Sequence, residues 1–344
     1  MRVYYSDTFN LPLPEGHRFP GQKYGMLRER LLREGLVAQQ ELHISPLAED
    51  SDIARAHDAA YVDAFESGTL GERVMRRIGF PWSEYLVRRT RASTGGAVAS
   101  ARAALADGIS GQLAGGTHHA HRDFGAGYCI YNDQAVAALR ALAEGWAARI
   151  AIIDLDVHQG DGTAAILGDH PSVFVFSMHG EKNFPFRKYE SDLDVPLADG
   201  IEDDAYLRQL AEHLPAVFPF RPELVLYQAG VDPLAEDKLG RLALTHDGLM
   251  ARDEMGFGEG AERGIPVAMV VGGGYASPIQ PAVNVRSTTA EPIAAAAAIC
   301  RDRGALFEIN AHCRQDELCA AGCGESLLRD SERLRAYVRR AAET

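Results

Sequence analysis

The chain has 344 residues, 46% of them hydrophobic, and a formal net charge of −13. That length can bury a sizeable core in one or two domains, and so acidic a chain is a poor partner for nucleic-acid phosphates. No apolar run approaches the roughly 18–20 residues that span a bilayer, no signal-peptide core stands at the start, and five cysteines are an odd count for a disulfide framework. The expectation is a cytoplasmic protein with reduced thiols and no membrane contact, in an oligomeric state that the sequence leaves open.

In chain order, residues 2–5 predict a first strand, and residues 22–34, 83–107 and 131–144 have helical periodicity. Residues 149–155, 172–177, 223–229 and 266–271 are near-continuous apolar runs, the pattern of strands buried on both faces of a parallel sheet. Helical stretches fall between them at about 159–168, 203–217 and 245–260, and the alanine run at 294–298 reads as helix. The alternation predicts an α/β fold with a mostly parallel sheet.

In such sheets the site lies beyond the carboxyl ends of the strands. Asp154, Asp156 and His158 follow the 149–155 run, and Ser177, Met178 and His179 follow 172–177. Gly230 and Asp232 follow 223–229, and Gly272, Gly273, Gly274 and Tyr275 follow 266–271. Four strands deliver polar residues to one rim, which is the argument for a single active site.

Residues 154, 156 and 158 share one side of an extended chain. Two carboxylates and an imidazole there are costly to bury unless a cation neutralises them; Zn²⁺ suits this donor set, and Fe²⁺ or Co²⁺ are compatible. The plainer alternative is a polar strand end that caps the next helix. His118 and His119, after Gly115-Gly116-Thr117, fit an acid–base pair, metal ligands or a surface loop. Asp232 is a further ligand or a helix cap. Gly272–Gly274 have no following Lys-Ser/Thr, so they do not form a phosphate loop, and their other use is to place Tyr275 over the site. Together these parts suit metal-assisted hydrolysis with a histidine base and a tyrosine hydroxyl at the oxyanion.

The segments GGTHHAHRDFGAGYCIYND, IDLDVHQGDG, SMHGEKNFPF, YQAGVDPLAEDKLGRL and VVGGGYA resemble, in order and spacing, the metal-dependent histone deacetylase family, over roughly residues 1–280. HQG at 158–160 and GVDPLAEDKLGRLALTHDGL look like its class IV branch. The resemblance implies a three-layer α-β-α fold of the arginase/deacetylase type in a catalytic domain of about 1–300, with a tail at 301–344. It implies Asp156, His158 and Asp232 as ligands of Zn²⁺ or Fe²⁺. His119 matches the general base and acid, with Asp161 as its partner. His118 matches the neighbouring histidine oriented by Asp154, and Tyr275 the carbonyl-polarising tyrosine. A structural K⁺ is implied beside Asp154, Asp156, His158, Ser177 and Met178. Gly127, Tyr128, Phe184 and Gly273 match the walls of an acyl-lysine tunnel. Leu239 stands where polyamine-specific relatives place an acidic residue. The expected substrate is therefore an acyl-lysine protein or peptide, with a small acylated amine as the rival and a non-catalytic acyl-lysine reader as a third reading. A binuclear Mn²⁺ site of the arginase kind would want more acidic ligands.

Gln159 departs from the second histidine of many members. The tail departs more, carrying Cys300, Cys313, Cys319 and Cys323 beside His312, then an amphipathic stretch at 326–342. The cysteine spacing is no standard zinc pattern. His57 and Tyr61 fit the family and are expected to be structural.

Overall fold

The structure is a computed structural model that describes residues 1–9 and 11–284, the side chains of 261 and 262 excepted. The alanine run, the four tail cysteines, His312 and the 326–342 stretch lie outside the described residues.

Eight strands form one parallel sheet: β1 Arg2–Tyr5, β2 Leu42–Ile44, β3 Ile109–Gln112, β4 Ile150–Asp154, β5 Val173–Gly180, β6 Leu193–Leu197, β7 Leu224–Gln228 and β8 Val267–Val270. Their order is β2-β1-β3-β8-β7-β4-β5-β6. The apolar runs mark the central strands. They miss β2 and β6, which are the sheet edges, and β3, whose polar residues are satisfied inside: Ser110 Oγ donates to the Arg2 carbonyl at 2.7 Å, and Gln112 Nε2 to the Ser93 carbonyl at 3.1 Å.

The helices are α1 Lys23–Arg33, α2 Asp50–Ala56, α3 Ala59–Glu66, α4 Glu72–Ile78, α5 Glu84–Asp107, α6 Asp133–Ala143, α7 Asp161–Leu167, α8 Asp203–His213 and α9 His246–Glu262. The helix expected over 203–217 stops at His213. Pro215 and Pro219 turn the next segment, Leu214–Phe220, into a 3₁₀ stretch.

Both sheet faces are covered, which is why the central strands read as unbroken apolar runs. Along β4, Ile150 and Ile152 pack with the alanine-rich faces of α5 and α6, including Ala97, Ala101, Val136 and Ala141. Ala151 and Ile153 pack on the opposite face with Tyr206 and Leu210 of α8 and Leu249 and Phe257 of α9. Each large apolar side chain removed from water contributes about 1.5–3 kcal/mol. These layers make a rigid platform, and the polar residues stand at its carboxyl-terminal edge.

Two helix caps reach from this platform towards that edge. Ser83 Oγ accepts the Leu86 N–H at 3.1 Å to start α5, and Asn132 Oδ1 accepts the Ala135 N–H at 2.9 Å to start α6. The Asn132 amide also donates to the carbonyl of Ala120 at 3.2 Å. One cap thus begins a helix and fixes the histidine-bearing loop after β3.

Candidate active site

The chain leaves β4 at Asp154 and curls. The Asp156 N–H donates to Asp154 Oδ1 at 3.1 Å, and the His158 N–H to Asp156 Oδ1 at 3.0 Å. Aspartates bonding to backbone two residues on make this local turn. It separates the three residues that an extended chain would align: Asp154 turns to His118, while Asp156 and His158 turn to Asp232.

Asp156, His158 and Asp232 bring ligand atoms within 4.8 Å of one another, all three residues buried. His158 Nδ1 stands 3.1 Å from Asp156 Oδ1 and 3.2 Å from Asp232 Oδ2. Burial and the Asp156 charge push Asp232 up to about 6. Burial opposes a charge on His158, yet bonding to Asp156 and Asp232 raises it to about 10. Three N/O donors of this kind with one side open to a cavity fit a catalytic divalent ion, and Zn²⁺ or Fe²⁺ suit the donor chemistry. Backbone closes the floor. The Gly273 N–H donates to Asp156 Oδ2 at 2.8 Å, and a Cβ at Gly273 would meet Asp232 Oδ2 at 1.9 Å, so no larger residue fits.

Two imidazole–carboxylate pairs flank these donors. His118 Nδ1 donates to Asp154 Oδ2 at 2.6 Å, and His119 Nδ1 to Asp161 Oδ1 at 2.7 Å. Their rings lie 4.1 Å apart and titrate in opposite directions. Burial disfavours charge on His118, but Asp154 and Asp156 overcome it and raise it to about 9. Burial and the His118 charge drive His119 down to about 4, so His119 is neutral at pH 7 and its Nε2 is free to take a proton. Asp161 is shared with His121 Nε2 at 2.9 Å; burial works against its charge, but bonds from the two histidines hold it below the usual carboxylate range.

A cavity of about 490 Å³ opens onto the donors. Its walls include Gly127, Tyr128, Phe184, Leu239, Gly273 and Tyr275. Gly127 and Tyr128 have φ values of 54° and 66° and form a tight turn closed by Cys129 N–H to Ala126 O at 2.8 Å. For a tyrosine that backbone costs about 1–3 kcal/mol. It aims the ring at the cavity, 5.9 Å from the Tyr275 ring and 5.2 Å from Phe80. Phe184 stands edge-on to His119 at 4.8 Å. Burial first, then Tyr24, Asp232 and Asp156, push the Tyr275 phenol well above its ordinary value, so it remains a hydroxyl donor.

Several residues that hold the site carry no motif in the sequence. Asp237 accepts the Tyr275 N–H at 2.5 Å through Oδ2, and those of Leu239 and Gly240 at 2.8 and 2.9 Å through Oδ1. Asp133 accepts the N–H groups of Gly116 and Thr117 at 2.8 and 2.9 Å. Arg252, 0% exposed, donates to the Leu155 carbonyl at 3.2 Å and to that of Gly230, bracing the segments that carry Asp156 and Asp232. Gln159 Nε2 donates to the Tyr189 carbonyl and to Asp194 Oδ1 at 2.6 and 2.7 Å, so this departure from the familiar histidine anchors the segment that carries Phe184. Ser177 pairs in register with Asp154 across β4 and β5, and Met178 is buried beside it. His57 is structural: Nδ1 donates to the His121 carbonyl at 2.9 Å, Nε2 accepts the Asn132 N–H at 2.8 Å, and burial lowers it to about 4.

The family model described as Histone deacetylase domain matches residues 17–290. The chain belongs to the histone deacetylase family. It is 45% identical over 278 residues to an uncharacterized protein of Picosynechococcus sp., covering 80% of this chain and 93% of that one. It is 31% identical to a histone deacetylase-like amidohydrolase of Pseudomonas aeruginosa, covering 78% and 75% of the two chains. The crystal structure of an HDAC homolog from Aquifex aeolicus superposes with a TM-score of 0.73 at 25% identity, over 86% of this chain and 83% of that one. This histone deacetylase family member has the arginase-like fold that the resemblance implied, and it is a hydrolase acting on amides. No helix among the described residues is long and apolar enough to cross a membrane.

Proposed function

We propose that this chain hydrolyses the amide of Nε-acyl-lysine in proteins or peptides, and that it stands with the class IV branch. The observation that carries the reading is the site's asymmetry. A neutral histidine and a neutral tyrosine face three metal donors at the base of an aromatic-walled cavity whose rim residue, Leu239, is apolar. Aromatic walls suit the methylene stem of lysine, and an apolar rim offers nothing to the second charge of a polyamine.

Asp156, His158 and Asp232 would hold the divalent ion, Zn²⁺ or Fe²⁺. When bound, that ion supplies Lewis-acid chemistry, activating water and polarising the acyl carbonyl. His119 takes the water proton at Nε2 and returns it to the departing lysine amine, with Asp161 fixing the ring. His118, charged beside Asp154, adds positive potential where negative charge develops. The Tyr275 hydroxyl donates to the carbonyl oxygen as it becomes an oxyanion. Gly127, Tyr128 and Phe184 exclude water around the stem, and Gly273 holds Asp156 by its N–H. A K⁺ at the Asp154–His158 turn, with Ser177 and Met178, would stiffen the segment that presents the donors.

The test is turnover on one lysine peptide carrying acetyl, butyryl, octanoyl or myristoyl groups, with N-acetylputrescine alongside, before and after chelation and Zn²⁺ restoration. Chelator-sensitive cleavage of an acyl-lysine peptide is the expected result. Cleavage of acetylputrescine alone moves the substrate to small acylated amines, and no turnover in metal-loaded protein favours a reader of acyl-lysine.

A further inference from the structure

The cavity extends to a stripe on α5. Leu86, Arg89, Thr90, Ser93 and Thr94 line it, at the i, i+3, i+4, i+7 and i+8 spacing of one helix face. Four of the five are buried and only Arg89 is half-buried, so the stripe belongs to the inside of the cavity, while Arg76, Lys182, Phe186 and Arg241 at its mouth are exposed. For a site that takes a plain alkyl acyl group this stripe is unexpectedly polar.

Arg89 is the unusual member. A guanidinium has five N–H donors and stays charged at any physiological pH. Here it donates to Ser6 Oγ, and its Cζ lies 4.7 Å from the Tyr24 ring centroid. Among the described residues no carboxylate pairs with it. The nearby Asp7 is engaged by Arg28, with a contact of 2.8 Å. Lys23 Nζ lies 5.1 Å from the same Tyr24 ring and donates to the Gly274 carbonyl at 3.2 Å, so a second cation stands between this region and Tyr275. At the mouth Arg76 has Glu72, and Arg241 and Lys182 share Asp199, while Arg77 lies over the Phe124 ring, its Cζ 3.9 Å from the centroid. Burial without a carboxylate partner also pulls the Arg89 pKa down. A half-buried guanidinium with spare donors on a cavity wall is a receptor for an anion.

We propose that the α5 side of the cavity is a carboxylate-binding subsite with Arg89 as the anion receptor, and that the chain takes acyl groups ending in a carboxylate, such as succinyl or glutaryl. Thr90 and Ser93 supply hydroxyls beside the guanidinium. The proposal rests on the acyl-lysine reading above and narrows its acyl group from any chain length to a short dicarboxylic one.

The experiment compares kcat/KM on one lysine peptide carrying acetyl, butyryl, pentanoyl, succinyl or glutaryl groups, using metal-loaded wild type, Arg89→Gln and Arg89→Lys. Glutarate binding is measured by calorimetry on the same proteins, and their melting temperatures check folding. The expected wild type prefers glutaryl to pentanoyl, groups of equal chain length that differ in the terminal charge. Loss of a charge-assisted bond lowers that ratio by about tenfold or more in Arg89→Gln and weakens glutarate binding in step, while Arg89→Lys keeps more of both. A wild type that prefers pentanoyl, or a ratio unchanged in Arg89→Gln, overturns the proposal. An unchanged ratio with weaker inhibition by free acetate reassigns Arg89 to the departing product and overturns it too. Failure on every peptide, acetyl included, sinks the acyl-lysine reading instead, and glutarate binding to wild type against Arg89→Gln then decides the subsite by itself.

Discussion

The floor and the wall of the cavity are built on opposite principles. The floor is Asp156, His158, Asp232 and the two histidine pairs, buried charges locked by hydrogen bonds to backbone and to one another. The wall is Phe19, Phe80, Tyr128 and Tyr275, joined by ring contacts of about 5–6 Å, such as 4.8 Å between Phe19 and Phe80, with Phe184 edge-on to His119 across from them. The floor holds like charges together at a cost in stability, and the wall returns stability through apolar burial. Activity and stability should therefore respond to different substitutions.

The largest effect belongs to the floor. Asp232→Ala should lose the metal and at least about 10³-fold in turnover, since the ion's contribution is several kcal/mol. Stripped of metal, the variant should melt no lower than stripped wild type, because one of two crowded carboxylates is gone. Stoichiometric zinc in this variant removes Asp232 from the donors. Tyr275→Phe should lower kcat by about 10²–10³-fold with metal content unchanged, as for other lost oxyanion donors. Near-normal kcat would take the tyrosine out of the chemistry.

The wall should behave in the reverse way. Phe80→Ala, at a position 6% exposed, should cost about 3–5 kcal/mol in denaturant unfolding yet keep the metal. A loss of metal with little loss of stability would erase the distinction between the two regions. The smallest effect is a pH slope from His57, lowered to about 4 against 6.5 in the unfolded chain. Between those values the unfolded state binds a proton that the native state does not, so wild-type stability rises with pH by up to about 3 kcal/mol from this residue. The advantage of wild type over His57→Phe should therefore shrink as pH falls from 6.5 to 4, and a constant gap would show that His57 titrates normally in the fold.

The same contrast decides what the sequence could reveal. The floor is legible because its chemistry admits few residue types: Asp154, Asp156, His158 and Asp161 stand in one short segment, and Gly273 tolerates no side chain. The wall is not, because Phe19 and Phe80 look like any core aromatics, and Arg89 looks like one more charge on an exposed helix face. Positioning residues are hidden for the same reason. Asp237 sits in the charged run Ala-Glu-Asp-Lys and Arg252 in Ala-Arg-Asp-Glu, with nothing local to separate them from solvated neighbours. In the fold, the central strands follow from their apolar runs, whereas edge strands need only one satisfied neighbour and leave a fainter trace.

Asp237 carries one more implication. Because a single carboxylate takes the N–H of Tyr275 on one oxygen and those of Leu239 and Gly240 on the other, the substrate-facing lip and the phenol are mechanically one part. Specificity and rate are then inherited together. A loop transplanted from a relative to retune what the mouth admits would swing the tyrosine with it, and descendants of this fold that change substrates must either keep the aspartate or rebuild both ends at once.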